Sequence, residues 1–194
     1  MIVTPLAIPD DVLLEPKIFR DHRGSFFESF NLAQLESALG RSLTFVQDNH
    51  STSYRYVLRG LHYQIKQPQG KLIQVTKGEI FDVIVDIRRH SKTFGQSVCQ
   101  ILSQELHNQL WIPEGFAHGF LTLSESAEVL YKTTDYYAPA HERCLRWDDP
   151  ILNIPWPLEL IKGTTSSQGP ILSAKDALGV SFEEAETYLS DRLF

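Results

Sequence analysis

Three cationic or titratable side chains lie close together in a stretch that otherwise has the composition of two β-strands. The stretch is VLRGLHYQIKQPQGKLIQV, and the three residues are Arg59, His62 and Lys71. Inward positions of strands are the places where polar groups cost most, because a buried charge must be paired or bound. If these side chains face inward, a bound anion is the simplest compensation, so the stretch predicts an anion-binding pocket.

A second histidine, His118, ends a Pro-x-Gly-x-x-His motif within WIPEGFAHGFLTL. The motif is similar to the second half of the two-part cupin metal signature, whose first half supplies a His-x-His pair and a glutamate. Here the first half is missing, because Gln64 stands where RGLHYQ would need its second histidine. A catalytic metal needs about three protein ligands, so we expect no metal. The alternative for His118 is a core histidine bonded to a backbone carbonyl.

Composition favours one globular domain over residues 1–194, since 42% of the residues are hydrophobic and 22% are charged. The net charge of −6, with Lys and Arg scattered along the chain, argues against nucleic acid or an anionic membrane as partner. Two cysteines, Cys99 and Cys144, lack CxxC spacing and predict neither a disulfide framework nor a zinc site. We therefore expect a cytoplasmic protein.

The N-terminus has acids and prolines where a signal peptide needs a basic start and an apolar run. No segment approaches the roughly 20 apolar residues of a membrane span.

Local patterns predict mostly short strands with a few short helices. Leucines at helical spacing predict a helix between an N-cap at Asn31 and Gly40. A Ser-x-x-Glu capping box predicts a second helix from Ser181 to about Leu189. The run KGTTSSQG, from Lys162 to Gly169, is typical of a surface loop.

The clearest hairpin is KLIQVTKGEIFDVIVDIRR, with Lys77 and Gly78 at its turn. In its second strand the apolar side chains alternate with Asp82 and Asp86, which we interpret as structural residues on a polar face. Further strands are predicted at 24–30, 96–102, 110–112, 119–123, 129–134 and 143–147. Many short strands predict an all-β protein, a cupin-type jelly roll in the form of a β-sandwich or barrel, with a few short peripheral helices.

One ordered set of motifs covers residues 1 to about 176. It comprises FRDHRGSFFESF, FVQDNHS, LRGLHYQ, QGKLIQV, GEIFDVIVDIR, SKTFG, LWIPEGFAHGF, LYKTTDYYAP and LSAKD. In this order the motifs closely resemble the dTDP-4-dehydrorhamnose 3,5-epimerase family, the metal-independent cupin-fold epimerases of dTDP-L-rhamnose biosynthesis. The resemblance implies an isomerase without a cofactor that acts on a dTDP-sugar.

The resemblance also implies roles for individual residues. His62 matches the general base, Asp176 the carboxylate that orients it, Tyr131 the general acid on the opposite face of the sugar, and Lys71 the cation beside the 4-keto oxygen. Further substrate-binding positions match Arg23, Glu28, Gln47, Asn49, Arg59, His118, Glu142 and Lys175. The family is homodimeric, and its N-terminal segment helps to complete the partner's site, so Arg23 and Glu28 would act in trans.

The chemistry of epimerisation requires such residue types. Removing a hydrogen α to a ketone becomes feasible only when the charge developing on the carbonyl oxygen is stabilised, and Lys71 can do that. A histidine paired with a carboxylate is a suitable base near neutral pH. Inversion then needs a proton from the other face, which Tyr131 can supply, although Tyr136 and Tyr137 compete for this role.

Three other functions are kept as alternatives. A relative that inverts only carbon 3 would share the fold and the residues. A non-catalytic sugar-nucleotide-binding cupin would not need both an acid and a base. A metal-dependent cupin is disfavoured by Gln64.

Overall fold

The computed structural model describes residues 1–161 and 169–189. Its helices and strands follow in this order: β1 (Ile2–Pro5), β2 (Val12–Glu15), β3 (Phe19–Asp21), β4 (Gly24–Phe26), α1 (Leu32–Leu39), β5 (Gln47–Tyr54), β6 (Leu58–Gln64), β7 (Lys71–Lys77), β8 (Glu79–Asp86), β9 (Ser97–Ser103), β10 (Gln109–Ile112), β11 (Phe116–Thr122), β12 (Ser126–Thr133), β13 (Glu142–Cys144) and α2 (Ala174–Ala177). Single 3₁₀ turns occur at Pro139–His141 and Leu158–Leu160. None of the helices in these two ranges is long and apolar enough to cross a membrane.

Two antiparallel sheets form the sandwich. One has six strands in the order β1-β2-β10-β7-β12-β5, and the other has five in the order β13-β6-β11-β8-β9. Strands β3 and β4 form a separate two-stranded hairpin. The all-β, cupin-type jelly-roll prediction is confirmed, with α1 and α2 as short peripheral helices.

Apolar side chains fill three layers. Ile73 and Val75 of β7 pack with Ile80 and Ile84 of β8 in the core between the sheets. The outer face of the five-stranded sheet is covered by residues from the C-terminal segment, which include Leu152, Trp156, Phe182 and Tyr188. Helix α1 packs Leu35 against the outer face of the six-stranded sheet. The cover on the six-stranded sheet is partial, since the outward side chains of β5 are exposed. Polar residues that face the space between the sheets therefore lie among apolar side chains of the core.

The first helix forms as predicted. The side chain of Asn31 accepts a hydrogen bond from the backbone N–H of Gln34, and Gly40 ends the helix at φ +67°.

The predicted helix from Ser181 to Leu189 is wrong. The capping contacts are present, since Oγ of Ser181 lies 2.7 Å from Oε2 of Glu184 and accepts the Glu184 N–H. The chain nevertheless continues as turns. Farther along, the backbone N–H of Tyr188 donates to the carbonyl oxygen of Ile87 at 3.1 Å, so the end of this segment pairs with the sandwich and does not continue a helix. The predicted loop from Lys162 to Gly169 lies outside the described residues, except for Gly169.

The predicted hairpin is also wrong in its pairing. Both strands form and the chain turns at Gly78, but β7 and β8 belong to different sheets. Gly78 has φ +75°, and a Cβ at this position would lie 2.1 Å from the carbonyl oxygen of Ser126. The turn therefore carries the chain from one sheet to the other, which places Lys71 and Asp82 on facing walls.

A register shift in β6 brings Arg59 and His62 to the same face. His62 pairs with His118 and Arg59 pairs with Phe120, so three steps along β6 oppose two along β11. Gly60 lies in this bulge at φ +104°, and a Cβ there would lie 2.5 Å from the His118 carbonyl oxygen. Bulges of this kind re-aim side chains, and here the bulge turns both residues inward.

Candidate active site

A cavity of about 320 Å³ opens between the two sheets. The six-stranded sheet contributes side chains from β5, β7 and β12, and the five-stranded sheet contributes them from β6, β11 and β13. Of the predicted site residues, the cavity is lined by Gln47, Asn49, Arg59, His62, Lys71, His118, Tyr131, Glu142 and Lys175. Tyr131 and His62 come from opposite sheets, so a ligand between the sheets would meet them on opposite sides.

His62 is paired with the carboxylate of Asp176. Its Nε2 lies 2.5 Å from Oδ1 of Asp176, and Nδ1 makes no hydrogen bond within the described part of the chain. Asp176 is 3% exposed and lies in α2, where Ser173 caps the helix and donates to Oδ2 at 2.7 Å. The Nε2 proton is thus held by the carboxylate, which leaves Nδ1 as the basic nitrogen.

The electrostatics of Asp176 favour this arrangement. Burial raises the pKa of its carboxyl, but the hydrogen bonds from His62 and Ser173 outweigh burial and hold the pKa below its usual value. The carboxylate is therefore ionised at neutral pH, where it favours a protonated Nε2.

Lys71 is a buried cation. Its Nζ donates to the backbone carbonyl of His62 at 3.4 Å, which joins the two walls of the cavity. Burial lowers its pKa to about 8, against the opposing effect of the charges on Asp82 and Glu142. Lys71 is mostly protonated at pH 7, and its charge would be better compensated by an anion in the cavity than it is in the free protein.

Tyr131 is half-buried in β12. Burial raises the pKa of its phenol, Arg59 and Lys175 lower it, and Glu142 raises it further. Its hydroxyl makes no hydrogen bond to any described residue, so a protonated and unengaged O–H is available in the cavity. By contrast, the hydroxyl of Tyr137 donates to Glu142 at 2.8 Å.

A second histidine–carboxylate pair lies deeper in the site. Nε2 of His118 is 2.9 Å from Oδ2 of Asp82, which is fully buried. The interpretation of Asp82 as a residue of a merely polar face is therefore incomplete, and so is the alternative in which His118 bonds a backbone carbonyl. Asp86 does have a structural role, because Arg88 donates to it at 2.9 Å and 3.0 Å and Thr93 at 2.7 Å.

Sequence reasoning missed Asp82 because its partner comes from another strand. Asp82 of β8 lies opposite Phe120 of β11, two residues beyond His118. Alternation correctly puts Asp82 opposite Phe81 and Val83, but the Asp82 face is not a polar surface, because it is buried between the sheets with Ile80 and Ile84. Only the sheet order shows this.

A network of polar side chains lies at the rim of the cavity, around the His62–Asp176 pair. Lys175 donates to Glu142 at 2.7 Å, and Gln47 accepts from the backbone N–H of Tyr137 while its amide donates to Asn49 at 2.8 Å. Arg59 donates to Ser53 at 2.8 Å. These groups provide cations and amides that could receive a polar ligand.

The side chain of Gln64 makes hydrogen bonds to backbone groups, where a cupin metal site would have a histidine ligand. Its amide nitrogen donates to the carbonyl of Gln67 at 2.6 Å, and its oxygen accepts from the N–H of Ala138 at 2.7 Å. In the ranges that the structure describes, one cluster could hold a metal ion; it consists of His62, Cys144 and Asp176, whose ligand atoms all lie within 4.8 Å of one another.

Arg23 and Glu28 lie outside the cavity. Arg23 is an exposed residue between β3 and β4 and pairs with Asp21 at 2.6 Å. Glu28 accepts hydrogen bonds from Asn31 and Gln34 near the start of α1. Within one chain these two predicted ligand-binding residues do not join the others.

Comparison with known proteins gives one consistent family. A profile described as dTDP-4-dehydrorhamnose 3,5-epimerase matches residues 5–184. The chain is 57% identical to the dTDP-4-dehydrorhamnose 3,5-epimerase of Pseudomonas aeruginosa, over 97% of this chain and 99% of that one.

Solved structures agree with this match. The epimerase of Legionella pneumophila in complex with dTDP-4-keto-L-rhamnose superposes with a TM-score of 0.90 at 46% identity, covering 97% and 98% of the two chains. A 3′-monoepimerase of Streptomyces bikiniensis in complex with dTDP-quinovose superposes with a TM-score of 0.83 at 32% identity, covering 92% and 87%. With its sequence and its fold both matched, the chain belongs to the dTDP-4-dehydrorhamnose 3,5-epimerase family.

Proposed function

We propose that this chain is an isomerase that inverts carbons 3 and 5 of dTDP-4-dehydro-6-deoxy-D-glucose to give dTDP-4-dehydro-L-rhamnose. The observation that carries this proposal is the cavity in which the His62–Asp176 pair faces Tyr131 from the opposite sheet, with buried Lys71 also in the lining. The high identity to proteins of this name supports the choice of substrate.

The first step is proton abstraction. Nδ1 of His62 takes the hydrogen from a carbon next to the ketone, and the C–H electron pair forms an enolate on the 4-oxygen. Asp176 holds the Nε2 proton and stabilises the imidazolium that results. Lys71 donates to the enolate oxygen, where a preorganised cation in a site shielded from water is most effective.

The second step returns a proton from the other side. The O–H of Tyr131 protonates the same carbon on the opposite face, the enolate reverts to the ketone, and the configuration is inverted. Solvent then reprotonates Tyr131 and takes the proton from His62. Carbons 3 and 5 are both α to the 4-ketone, so the same groups serve both positions once the sugar ring has changed its orientation.

The remaining predicted residues bind the substrate. Arg59 suits the diphosphate, and so would Arg23 in trans, since guanidinium groups make bidentate, charge-assisted hydrogen bonds to phosphate oxygens. Lys175 adds a further cation to the cavity lining. The other binding positions are Gln47, Asn49, His118 and Glu142, all in the cavity lining.

We also propose a homodimer in which the β3–β4 hairpin reaches the partner's cavity. The support is that Arg23 and Glu28 lie away from their own cavity, and that Phe19 and Phe26 of the same hairpin are 53% and 71% exposed. Each site would then contain Arg23 and Glu28 of the partner subunit.

Three further properties belong to the proposal. The reaction needs no metal or cofactor, because Lys71 supplies the charge at the ketone and Gln64 is committed to backbone groups. The protein is cytoplasmic, in keeping with Cys99 and Cys144, which are both free. Residues 1–194 act as one domain with neither nucleic acid nor membrane as partner.

The test is incubation with dTDP-4-dehydro-6-deoxy-D-glucose, followed by reductive trapping and determination of the product's configuration. An L-configured sugar inverted at both carbons supports the proposal. Inversion at carbon 3 alone would replace it with the mono-epimerase alternative, whose structural relative is 32% identical. Binding without any turnover would replace it with a non-catalytic sugar-nucleotide-binding protein.

A further inference from the structure

Cys144 lies beside the proposed base because of how β13 pairs with β6. Leu61 and Leu145 exchange both backbone hydrogen bonds, at 3.3 Å and 3.0 Å. The next pair is His62 with Cys144, and a pair that follows a hydrogen-bonded one has its side chains at closer range on the same face. The backbone thus fixes the thiol next to the imidazole.

Asp176 is the third member of a cluster that also contains His62 and Cys144. Sγ of Cys144 lies 3.9 Å from the same Oδ1 that receives Nε2 of His62 at 2.5 Å. Ser173 holds the other carboxylate oxygen, so Oδ1 is presented as a single ligand atom. One imidazole nitrogen, one sulfur and one oxygen therefore converge, and His62 borders the cavity.

We propose that His62, Cys144 and Asp176 form an inhibitory site for a thiophilic divalent ion of the zinc class. Three protein ligands plus a water from the cavity complete the tetrahedral shell that zinc prefers. Tetrahedral geometry at ordinary zinc–ligand lengths separates N from O by roughly 3.4 Å and S from O by roughly 3.6 Å. The His62 ring has to move away from the carboxylate and the thiol towards it, each by less than about 1 Å.

The ligand types set the selectivity. Thiolate and imidazole favour zinc-class ions, whereas magnesium and calcium prefer shells made of oxygen. Burial, followed by the charge of Asp176, raises the pKa of the Cys144 thiol to about 12. A bound cation overcomes this, because a coordinating thiol loses its proton outright.

The ion would inhibit the enzyme by binding Nε2 of His62, the proposed general base. It takes the Nε2 lone pair in place of the proton shared with Asp176, and the ring proton of the neutral imidazole then lies on Nδ1, which can no longer accept a proton from the substrate. This consequence rests on the proposed function, whereas binding of the ion does not.

The test uses Co²⁺ as a spectroscopic probe and Zn²⁺ in competition with a chromophoric chelator. Wild-type protein should bind one ion per chain with tetrahedral ligand-field bands and a thiolate charge-transfer band. Cys144→Ser should lose the charge-transfer band and bind Zn²⁺ at least about tenfold more weakly, as expected when a metal site loses a contributing group. Cys99→Ser is the matched control, because Cys99 is the other partly buried free thiol, and it should bind as the wild type does.

Spectra of the wild type decide the matter even if Cys144→Ser fails to fold. Absence of a thiolate band, or a band that disappears in Cys99→Ser, overturns the inference. In activity assays, Zn²⁺ should inhibit the wild type and Cys99→Ser, Mg²⁺ and Ca²⁺ should not, and Cys144→Ser should resist relative to its own metal-free rate. Metal binding that depends on Cys144 in a protein without epimerase activity would overturn the proposed function and the inhibition, and would leave the metal site itself standing.

Discussion

Replacing Lys71 with methionine should stabilise the ligand-free protein while it abolishes activity. Lys71 is 8% exposed, and its pKa falls from 10.5 to about 8 on folding. At 1.36 kcal/mol per pKa unit, burying the charged form costs about 3 kcal/mol. Methionine fills similar space without a charge, so at pH 7 the variant should gain about 3 kcal/mol, or roughly 6 to 12 °C in Tm for a chain of this size.

The stability advantage of Lys71→Met should depend on pH. Between pH 8 and pH 10.5 the unfolded wild type binds the lysine proton and the folded wild type does not, so wild-type stability rises with pH. The advantage of the variant should be full at pH 7 and should shrink to about 1.4 kcal/mol at pH 9.5. Urea unfolding at both values measures it.

The matched control is Lys77→Met, at the far end of the same strand, where the side chain is exposed. It should change stability by less than about 0.5 kcal/mol. The reasoning is refuted if Lys71→Met is no more stable than the wild type at pH 7, if its advantage does not fall with pH, or if it retains near-native turnover.

Three further predictions concern the rest of the site. His62→Asn should lower kcat by at least about 10²-fold. Asp176→Asn should lower kcat by about 10- to 150-fold, which corresponds to the loss of a charge-assisted hydrogen bond worth 1.5 to 3 kcal/mol. The double variant should be no slower than His62→Asn alone, and additive losses would mean that the pair does not act as a unit. Exhaustive chelation should leave kcat unchanged, and activity that is lost and then restored by one divalent ion would contradict metal independence. Mixing inactive Arg23→Ala and His62→Asn chains should restore activity if Arg23 acts in trans, because the mixed dimer contains one intact site; no recovery in a confirmed mixed dimer would place Arg23 in its own chain's site or in none.

Local signals predicted the parts of the fold that depend on neighbouring residues. The helix from Leu32 to Leu39 followed from its leucine spacing and its caps. The strands around Gly78 were also predicted, but their pairing was not, because a turn signal does not say whether the chain returns to the same sheet. The capping box at Ser181 forms its local contacts, and pairing of Tyr188 with Ile87 prevents the helix.

The site was predicted by motif order more than by periodicity. Strict alternation would put Arg59 and His62 on opposite faces, and only the bulge at Gly60 brings them to one face. Asp176 reaches His62 across 114 residues of sequence, a distance over which local patterns carry no information. The pairing of His118 with Asp82 depends in the same way on the order of strands in the sheet.

The most direct test of the central claim is the fate of the two hydrogens next to the ketone. In heavy water, with a coupled reductase trapping the product, mass spectrometry should find deuterium at both carbon 3 and carbon 5 of an L-configured sugar. Tyr131→Phe should keep part of the exchange, because His62 can still remove a proton and solvent can return it, but it should lose most of the inversion. Label and inversion at carbon 3 alone after complete conversion would contradict the account, because one base and one acid would then not serve both carbons.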